Sequence, residues 1–478
     1  MEEDANGPRL LRRMNLLDAT SLVIGAVIGS GIFLTSGFIL QEVSSPGLLL
    51  LVWIAGGLVA MSGALSFGEL GAMYPRAGGQ YVYIREAYGP WAGFFYGWGF
   101  FWFIMCGGLA ALAVAFAEFA GYFVPALSTQ HVVLGFRVFG HAFALSAGQL
   151  VAAAAIVLLT WVNSFGIQSG KRTQNIFTFF RVGAVLFLVV FGLLSEHKAG
   201  ISGFGDLFPA TGMGLGGVLK HFGLALIAVF WTYDGWYAVS CTAEEIKKPE
   251  RNIPLSLLLG TVSITVLYVL VNLVYVLALP VERMKGVVRV GELAATQLFG
   301  PSVTFWVSAA IMISIFGCLN ATIIYGPRVF YAMAADGAFF RSMAYVHPRR
   351  RVPTVALWGQ ALWSVILCLS GTYQGLYEYV IFAVLLFFAA TGYSLIVLRR
   401  KQPDVPRPYR AWGYPYITLG FVGICLVIFL NTVISQPGKA LVGFVILAAG
   451  IPAYLRWNKK NAAAAEKKVP GPGPNELK

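Results

Sequence analysis

The chain has 478 residues, of which 58% are hydrophobic and only 12% charged, with a mean hydropathy of +0.73; this composition excludes an ordinary soluble globular protein and makes the bilayer its solvent. A net charge of +13 would suit a nucleic-acid binder, but the basic residues are spread over loops and form no domain of their own, so no nucleic acid is expected as a partner. Cys106, Cys241, Cys318, Cys368 and Cys425 all fall inside apolar stretches, which leaves no disulfide framework.

A span needs roughly 20 predominantly apolar residues. By that measure an all-α polytopic protein of twelve transmembrane helices is predicted, at about 16–40, 47–73, 90–123, 146–165, 172–195, 218–246, 254–279, 301–335, 353–371, 375–398, 412–434 and 438–456. Arg9, Arg12 and Arg13 precede the first run, which at about 24 residues is too long for a cleaved signal and reads as a span. An even count puts both termini on one side. The loops on that side carry Arg76, Arg85, Lys171, Arg172, Lys247, Lys248, Arg251, Arg341, the Arg349–Arg351 run, and Arg399 to Arg410. With the tails they hold most of the 34 basic residues, so both termini are expected in the cytoplasm.

The organisation that follows is a cytoplasmic tail (1–15), a five-helix unit (16–195), a second (218–398), two further helices (412–456) and a cytoplasmic tail (457–478) expected to be disordered, because its lysines, alanine run and Pro-Gly repeats present no apolar face. Among the outer connections, 280–300 has a helical apolar spacing (Val287, Val290, Leu293, Leu298) that suits a lid.

Two spans are interrupted. In span one, Gly25-Ala26-Val27-Ile28-Gly29-Ser30-Gly31-Ile32-Phe33 places glycines near mid-membrane, where each costs a helix about 1 kcal/mol relative to alanine. Close helix packing through Gly25 and Gly29 is the alternative explanation. In span six, Phe230-Trp231-Thr232-Tyr233-Asp234-Gly235-Trp236 sets an ionisable residue deep in an apolar stretch, which is expensive unless it faces a cavity or a partner. Spans one and six open the two five-span halves, and paired interruptions at corresponding positions are the best sequence pointer to a transporter site. An odd number of spans per half makes the halves inverted. Free amides around Gly31 and Ile32 at the start of a half-helix favour a carboxylate. Carbonyls ending the other half-helices, near Ile28 and at Phe230 and Trp231, favour an ammonium, so the pair of ends matches an amino acid. The substrate-binding residues expected on this reading are Ile28, Gly29, Ser30, Gly31, Ile32, Phe230, Trp231, Tyr233, Asp234 and Asn320, with Gly107 and Gly108 on span three leaving room. Asn320 equally suits a helix–helix hydrogen bond.

The Ile28-Gly29-Ser30-Gly31-Ile32-Phe33 element, the Tyr233-Asp234-Gly235-Trp236 break running on to Glu244-Glu245-Ile246-Lys247-Lys248-Pro249, and the later Leu319-Asn320-Ala321 to Arg328 and Asp336-Gly337 resemble the amino acid, polyamine and organocation (APC) superfamily. Within it they are similar to the L-type amino acid transporter (LAT) family, over nearly the whole chain. The resemblance implies a LeuT-like fold of five plus five inverted spans with spans eleven and twelve appended, spans one and six discontinuous, no cofactor, and sodium-independent exchange of amino acids in the cell (inner) membrane. Neutral L-amino acids are the expected substrates; cationic amino acids or polyamines are the alternative, and a non-transporting sensor a further one. The resemblance also makes Trp231 the aromatic gate over the substrate.

Two departures from the family pattern matter. Where members carry a lysine on span five, this chain has Arg181. The resemblance places that side chain between spans one and eight, where sodium-coupled relatives hold an ion, so it is expected as a fixed cation in place of a coupling ion. A guanidinium stays protonated and cannot relay a proton. The connection 124–145 lacks the cysteine that joins animal members to a glycoprotein subunit, so no disulfide-linked partner is expected and the chain resembles a bacterial member. An enzyme is not expected: Gly203-Phe204-Gly205-Asp206 has the Gly-x-Gly-Asp pattern of intramembrane aspartyl proteases but lies in an outer loop, and no His-Glu-x-x-His metal motif or phosphate loop occurs.

Overall fold

The computed structural model describes residues 10–138, 141–201, 203–208, 214–370, 373–435 and 437–466. Helix α1 (Leu16–Val27) begins at a reciprocal box, in which Asn15 accepts from the Asp18 amide at 2.9 Å and Asp18 accepts from the Asn15 amide at 3.0 Å. It stops at Val27, and the chain resumes helical form as α2 (Gly31–Leu34) and α3 (Ser36–Val43). Ser45 and Pro46 start α4 (Pro46–Met73), the serine capping and the proline pre-set for the first turn. After α5 (Gln80–Tyr88), α6 (Pro90–Gly99) runs through a π-helical turn at Phe100–Met105 into α7 (Cys106–Phe123). The connection after α7 holds an antiparallel hairpin, β1 (Val132–Val138) with β2 (His141–Ser146), which the sequence reading did not anticipate.

There follow α8 (Ala147–Ser164), α9 (Ile167–Leu194), α10 (Leu215–Tyr233) and, after a gap of irregular backbone, α11 (Ala238–Cys241). The second half continues with α12 (Pro249–Ala278), the short α13 (Val281–Met284) and α14 (Val290–Phe299) in the predicted lid, and α15 (Pro301–Ala335). It closes with α16 (Thr354–Ser370), α17 (Tyr373–Lys401), α18 (Tyr416–Ser435) and α19 (Pro437–Glu466). Among the described residues eleven helical stretches are long and apolar enough to cross a membrane, against the twelve expected. The remaining predicted span is α16, whose 17 residues rise only about 26 Å, short of a hydrocarbon core of about 30 Å. The tail also departs from expectation. Residues 457–466, expected to be disordered, continue α19, and the rest of that tail lies outside the described residues.

The buried apolar side chains form one large cluster. Within it α1 is enclosed by α9, α12 and α15, while α10 packs on α3 and α4. Glu69 and Glu245, two carboxylates inside this apolar body, are paired, as a low dielectric favours. Glu69 on α4 takes both arms of Arg399 at 2.8 and 2.6 Å and the Ala411 amide at 2.6 Å. Glu245 takes Arg328 at 2.8 and 3.1 Å, with the side chains only 0% and 2% exposed.

Candidate functional site

The two breaks meet. Gly235 has φ +102°, a left-handed conformation, and an added Cβ there would lie 2.8 Å from the Ala26 carbonyl, so only glycine lets the second break approach the first. Gly31 similarly makes room for the Thr232 side chain, which in turn faces the Thr35 hydroxyl at 3.1 Å. Between the breaks lies a cavity with about 480 Å³ of empty space, its open mouth included. Span one lines it with Gly29, Ser30 and Gly31, and span six with Trp231, Thr232 and Asp234. Span three supplies Ile104, Met105, Gly108 and Leu112; α15 supplies Cys318, Thr322 and Tyr325.

Asp234 is the charged group of this cavity, and its Oδ1 is buried without a hydrogen-bond partner, in contrast to Glu69 and Glu245. No ion pair among the described residues includes it. The backbone of α1 is the opposite case, because each carbonyl at its broken end has a side-chain donor. The Gly25 carbonyl accepts from Arg181 Nη1, and that of Ala26 from Cys318 Sγ at 3.1 Å. The Val27 carbonyl accepts from the Tyr268 hydroxyl at 2.9 Å. The Ile28 carbonyl accepts from Arg181 Nη1 at 2.8 Å and Ser314 Oγ at 3.3 Å. Tyr268 also reaches the Thr232 carbonyl at 3.3 Å and so ties the two breaks together. Arg181 is fully buried and holds carbonyls at the end of α1; the possible pairing with Asp234 is not made.

On the side of the chain start the segments around the cavity are tied to one another. The Arg13 and Met14 amides donate to the Glu245 carbonyl at 2.8 and 2.9 Å, and the Lys247 amide returns to Met14 at 2.8 Å. Glu245 holds Arg328, and Asp18 on α1 accepts from Lys171 at 2.9 Å and Asn175 at 2.8 Å on α9. Toward the other side, Trp231 lies on the cavity wall, Ser36 donates to Asn272 at 2.7 Å, and Glu42 faces His221 at 2.8 Å.

Of the residues expected to bind substrate, Gly29, Ser30, Gly31, Trp231 and Asp234 line the cavity. Ile28, Ile32, Phe230 and Tyr233 do not, although they are buried beside it. Tyr233 points its hydroxyl to the Trp53 carbonyl at 3.1 Å and packs on Trp53 and Tyr268. Asn320 also faces elsewhere: it accepts from Asn163 at 2.8 Å and donates to Gln174 at 2.9 Å, tying α15 to α8 and α9. The reason is helical phase. Cys318 and Thr322, four residues apart, share the cavity face of α15 with Ser314 one turn before, and Asn320 lies about 200° round from Cys318. The small polar stripe Ser314, Cys318, Thr322 was the available signal. Tyr268 on α12 left none, being one aromatic among many.

A family model for amino acid permeases matches residues 14–452. The chain is 28% identical over 469 residues to the serine/threonine exchanger SteT of Bacillus subtilis (strain 168), covering 97% of this chain and 100% of that protein. It is 29% identical to the b(0,+)-type amino acid transporter 1 of Mus musculus, covering 90% and 84%. Against the large neutral amino acids transporter small subunit 2 of Oryctolagus cuniculus the identity is 30%, covering 95% and 82%.

Proposed function

Because the chain belongs to the amino acid permease family, we propose that it exchanges neutral L-amino acids across a membrane by alternating access, without sodium. The observation that carries this reading is the cavity lined by both helix breaks, with a carboxylate whose Oδ1 lacks a hydrogen-bond partner at one break and the start of a half-helix at the other. In that arrangement the substrate carboxylate lies at the amides around Gly31, where the helix dipole is positive. The ammonium lies toward Asp234 and the carbonyl end of α10. The serine/threonine exchanger SteT supports the transport mode, and the large neutral amino acids transporter small subunit 2 supports a neutral substrate.

The same reading carries a LeuT-like arrangement in which α16 serves as the ninth of twelve spans, 16–195 and 218–398 form inverted halves and 412–456 is appended. Both termini lie in the cytoplasm of a cell whose inner membrane holds the protein, since basic loops mark that side. Arg181 serves as the fixed cation between spans one and eight, its two bonds to span-one carbonyls replacing those an ion would make. Trp231 is the gate. No disulfide-linked subunit is needed, and the family is one of transporters, not enzymes.

The test is reconstitution in liposomes with radiolabelled amino acids, the lumen either empty or loaded, in sodium-free buffer without a proton gradient. Exchange predicts uptake that requires a loaded lumen and is competed by neutral amino acids. Competition by arginine or lysine instead would assign the Asp234 carboxylate to a cationic side chain. Binding without uptake in either state would make the protein a sensor.

A further inference from the structure

A second cavity opens where three of the long apolar helical stretches end. Pro90 on its wall starts the stretch Pro90–Phe123, Asp336 directly follows Pro301–Ala335, and Asn458 closes the apolar window of α19. The cavity has about 960 Å³ of empty space, its open mouth included, and shares no lining residue with the one between the breaks. One wall is charged. Arg85 on α5 donates to Glu86 Oε1 at 2.7 Å and to Asp336 Oδ2, which also accepts from the Tyr81 hydroxyl at 2.9 Å. One guanidinium thus serves two carboxylates, and only one oxygen of each carboxylate takes part in these bonds. The facing wall is aromatic, with the Phe94 ring 5.2 Å from Tyr454 and 5.8 Å from Trp457. Trp457 also packs on Phe339 and Phe340 at 5.8 and 5.4 Å, which docks the end of α19 beside Asp336.

We propose that this cavity binds the ammonium headgroup of a zwitterionic membrane lipid. The sign of the charge follows from the wall: Arg85 is the one basic residue lining the cavity and it is already spent on Glu86 and Asp336, so an anion finds no donor while a cation finds two carboxylates with acceptor capacity left. Aromatic faces opposite favour the same sign. A lipid as the carrier of that ammonium follows from the position. The cavity lies at the level where spans leave the hydrocarbon, and Trp and Tyr there are the residues that settle at headgroup depth. On α19 the exposed Ile451 and Leu455 share a face with Asn458 on the cavity wall, so an apolar track leads from the cavity along the helix for the acyl chains. The site stands apart from the exchange reading, since it uses none of the residues between the breaks.

The experiment titrates the delipidated full chain with phosphatidylethanolamine or phosphatidylglycerol and counts bound lipid by native mass spectrometry, for the wild type, Glu86→Gln and Glu86→Lys. The wild type should retain phosphatidylethanolamine at one site. Losing one charge-assisted bond is worth about 10-fold in affinity, so Glu86→Gln should weaken that site by about this factor. Glu86→Lys places a resident ammonium in the cavity and should abolish retention there. Both variants should melt near the wild type, because Arg85 keeps Asp336. Phosphatidylglycerol held by basic surfaces elsewhere should be retained alike by all three proteins. Phosphatidylethanolamine retention that Glu86→Lys leaves unchanged, or an equal loss of both lipids in that variant, would overturn the proposal. Displacement of the lipid by free ethanolamine at matching concentration would overturn the assignment to a lipid and give the cavity to soluble amines.

Discussion

Arg181→Met removes a buried charge while keeping much of the side chain's bulk. In the native protein Nη1 donates to the Gly25 and Ile28 carbonyls, and Nε makes a long 3.4 Å contact with Phe177. Two charge-assisted bonds at about 1.5–3 kcal/mol each give a loss of about 3–6 kcal/mol. Against this, no carboxylate pairs with the guanidinium among the described residues, and burying it carries a penalty of several kcal/mol that methionine does not incur. The two terms nearly cancel, so melting should move little. The local effect has no such compensation. Ile28 keeps Ser314 as a donor at 3.3 Å, but Gly25 loses its side-chain donor. An unsatisfied buried carbonyl costs about 1–3 kcal/mol, enough to shift the conformation of the break by about 5-fold or more. Exchange per folded molecule in liposomes should fall by at least that factor, and Arg181→Lys should recover part of it. A methionine variant that melts and exchanges like the wild type would refute the assignment of Arg181 to the break.

Three further substitutions separate the roles of neighbouring residues. Gly31→Ala drives a Cβ into Thr232 and should abolish exchange, whereas Gly31→Ala with Thr232→Ala should regain part of it, measured as loaded-lumen uptake. Glu245→Met leaves Arg328 buried and alone and should cost about 3–5 kcal/mol of stability, read by thermal melting; adding Arg328→Met should restore most of that loss. Asn320→Leu breaks the Asn163–Asn320–Gln174 chain; Asn163 keeps Leu159 and Gln174 keeps Thr178, so the cost is that of the two lost bonds, about 0.5–1.5 kcal/mol each. It should lower the melting temperature while leaving the half-saturating concentration for substrate unchanged, because Asn320 is not on the cavity wall.

The order and extent of the helices were legible because long apolar runs admit few other structures, and the two breaks were legible because glycine and aspartate are costly there. The side of a helix that a polar residue faces was not. Depth alone left Asn320 as either a cavity residue or a helix–helix hydrogen bond; its phase on α15 turns it to α8 and α9, where it bonds Asn163 and Gln174. The hairpin of β1 and β2 was missed although Val132, Val133, Phe136 and Val138 favour strands, and α19 was cut short because alanine and lysine in 457–466 offer no apolar face although they favour helix on propensity. Partners from distant parts of the chain were invisible altogether: nothing local to Tyr268 says that it caps Val27.

Those distant donors decide what the substrate meets. The sequence alone gives the Ile28 carbonyl to the substrate's ammonium, but Arg181, Cys318, Tyr268 and Ser314 already donate to the carbonyls of residues 25–28. The carbonyls of the break are thus satisfied by the protein itself, and on the proposed reading the ammonium falls to Asp234, whose Oδ1 has no hydrogen-bond partner among the described residues. An ammonium arriving there completes a buried ion pair, and removing one partner of such a pair costs about 3–5 kcal/mol, or about 100-fold or more in affinity. Asp234→Asn should therefore weaken neutral and cationic amino acids alike, measured as half-saturating concentrations in loaded liposomes. The wild type should ignore α-hydroxy acids, which lack the ammonium. A loss confined to arginine and lysine would show that the carboxylate meets the side chain and that the ammonium is held at the carbonyl end of α10.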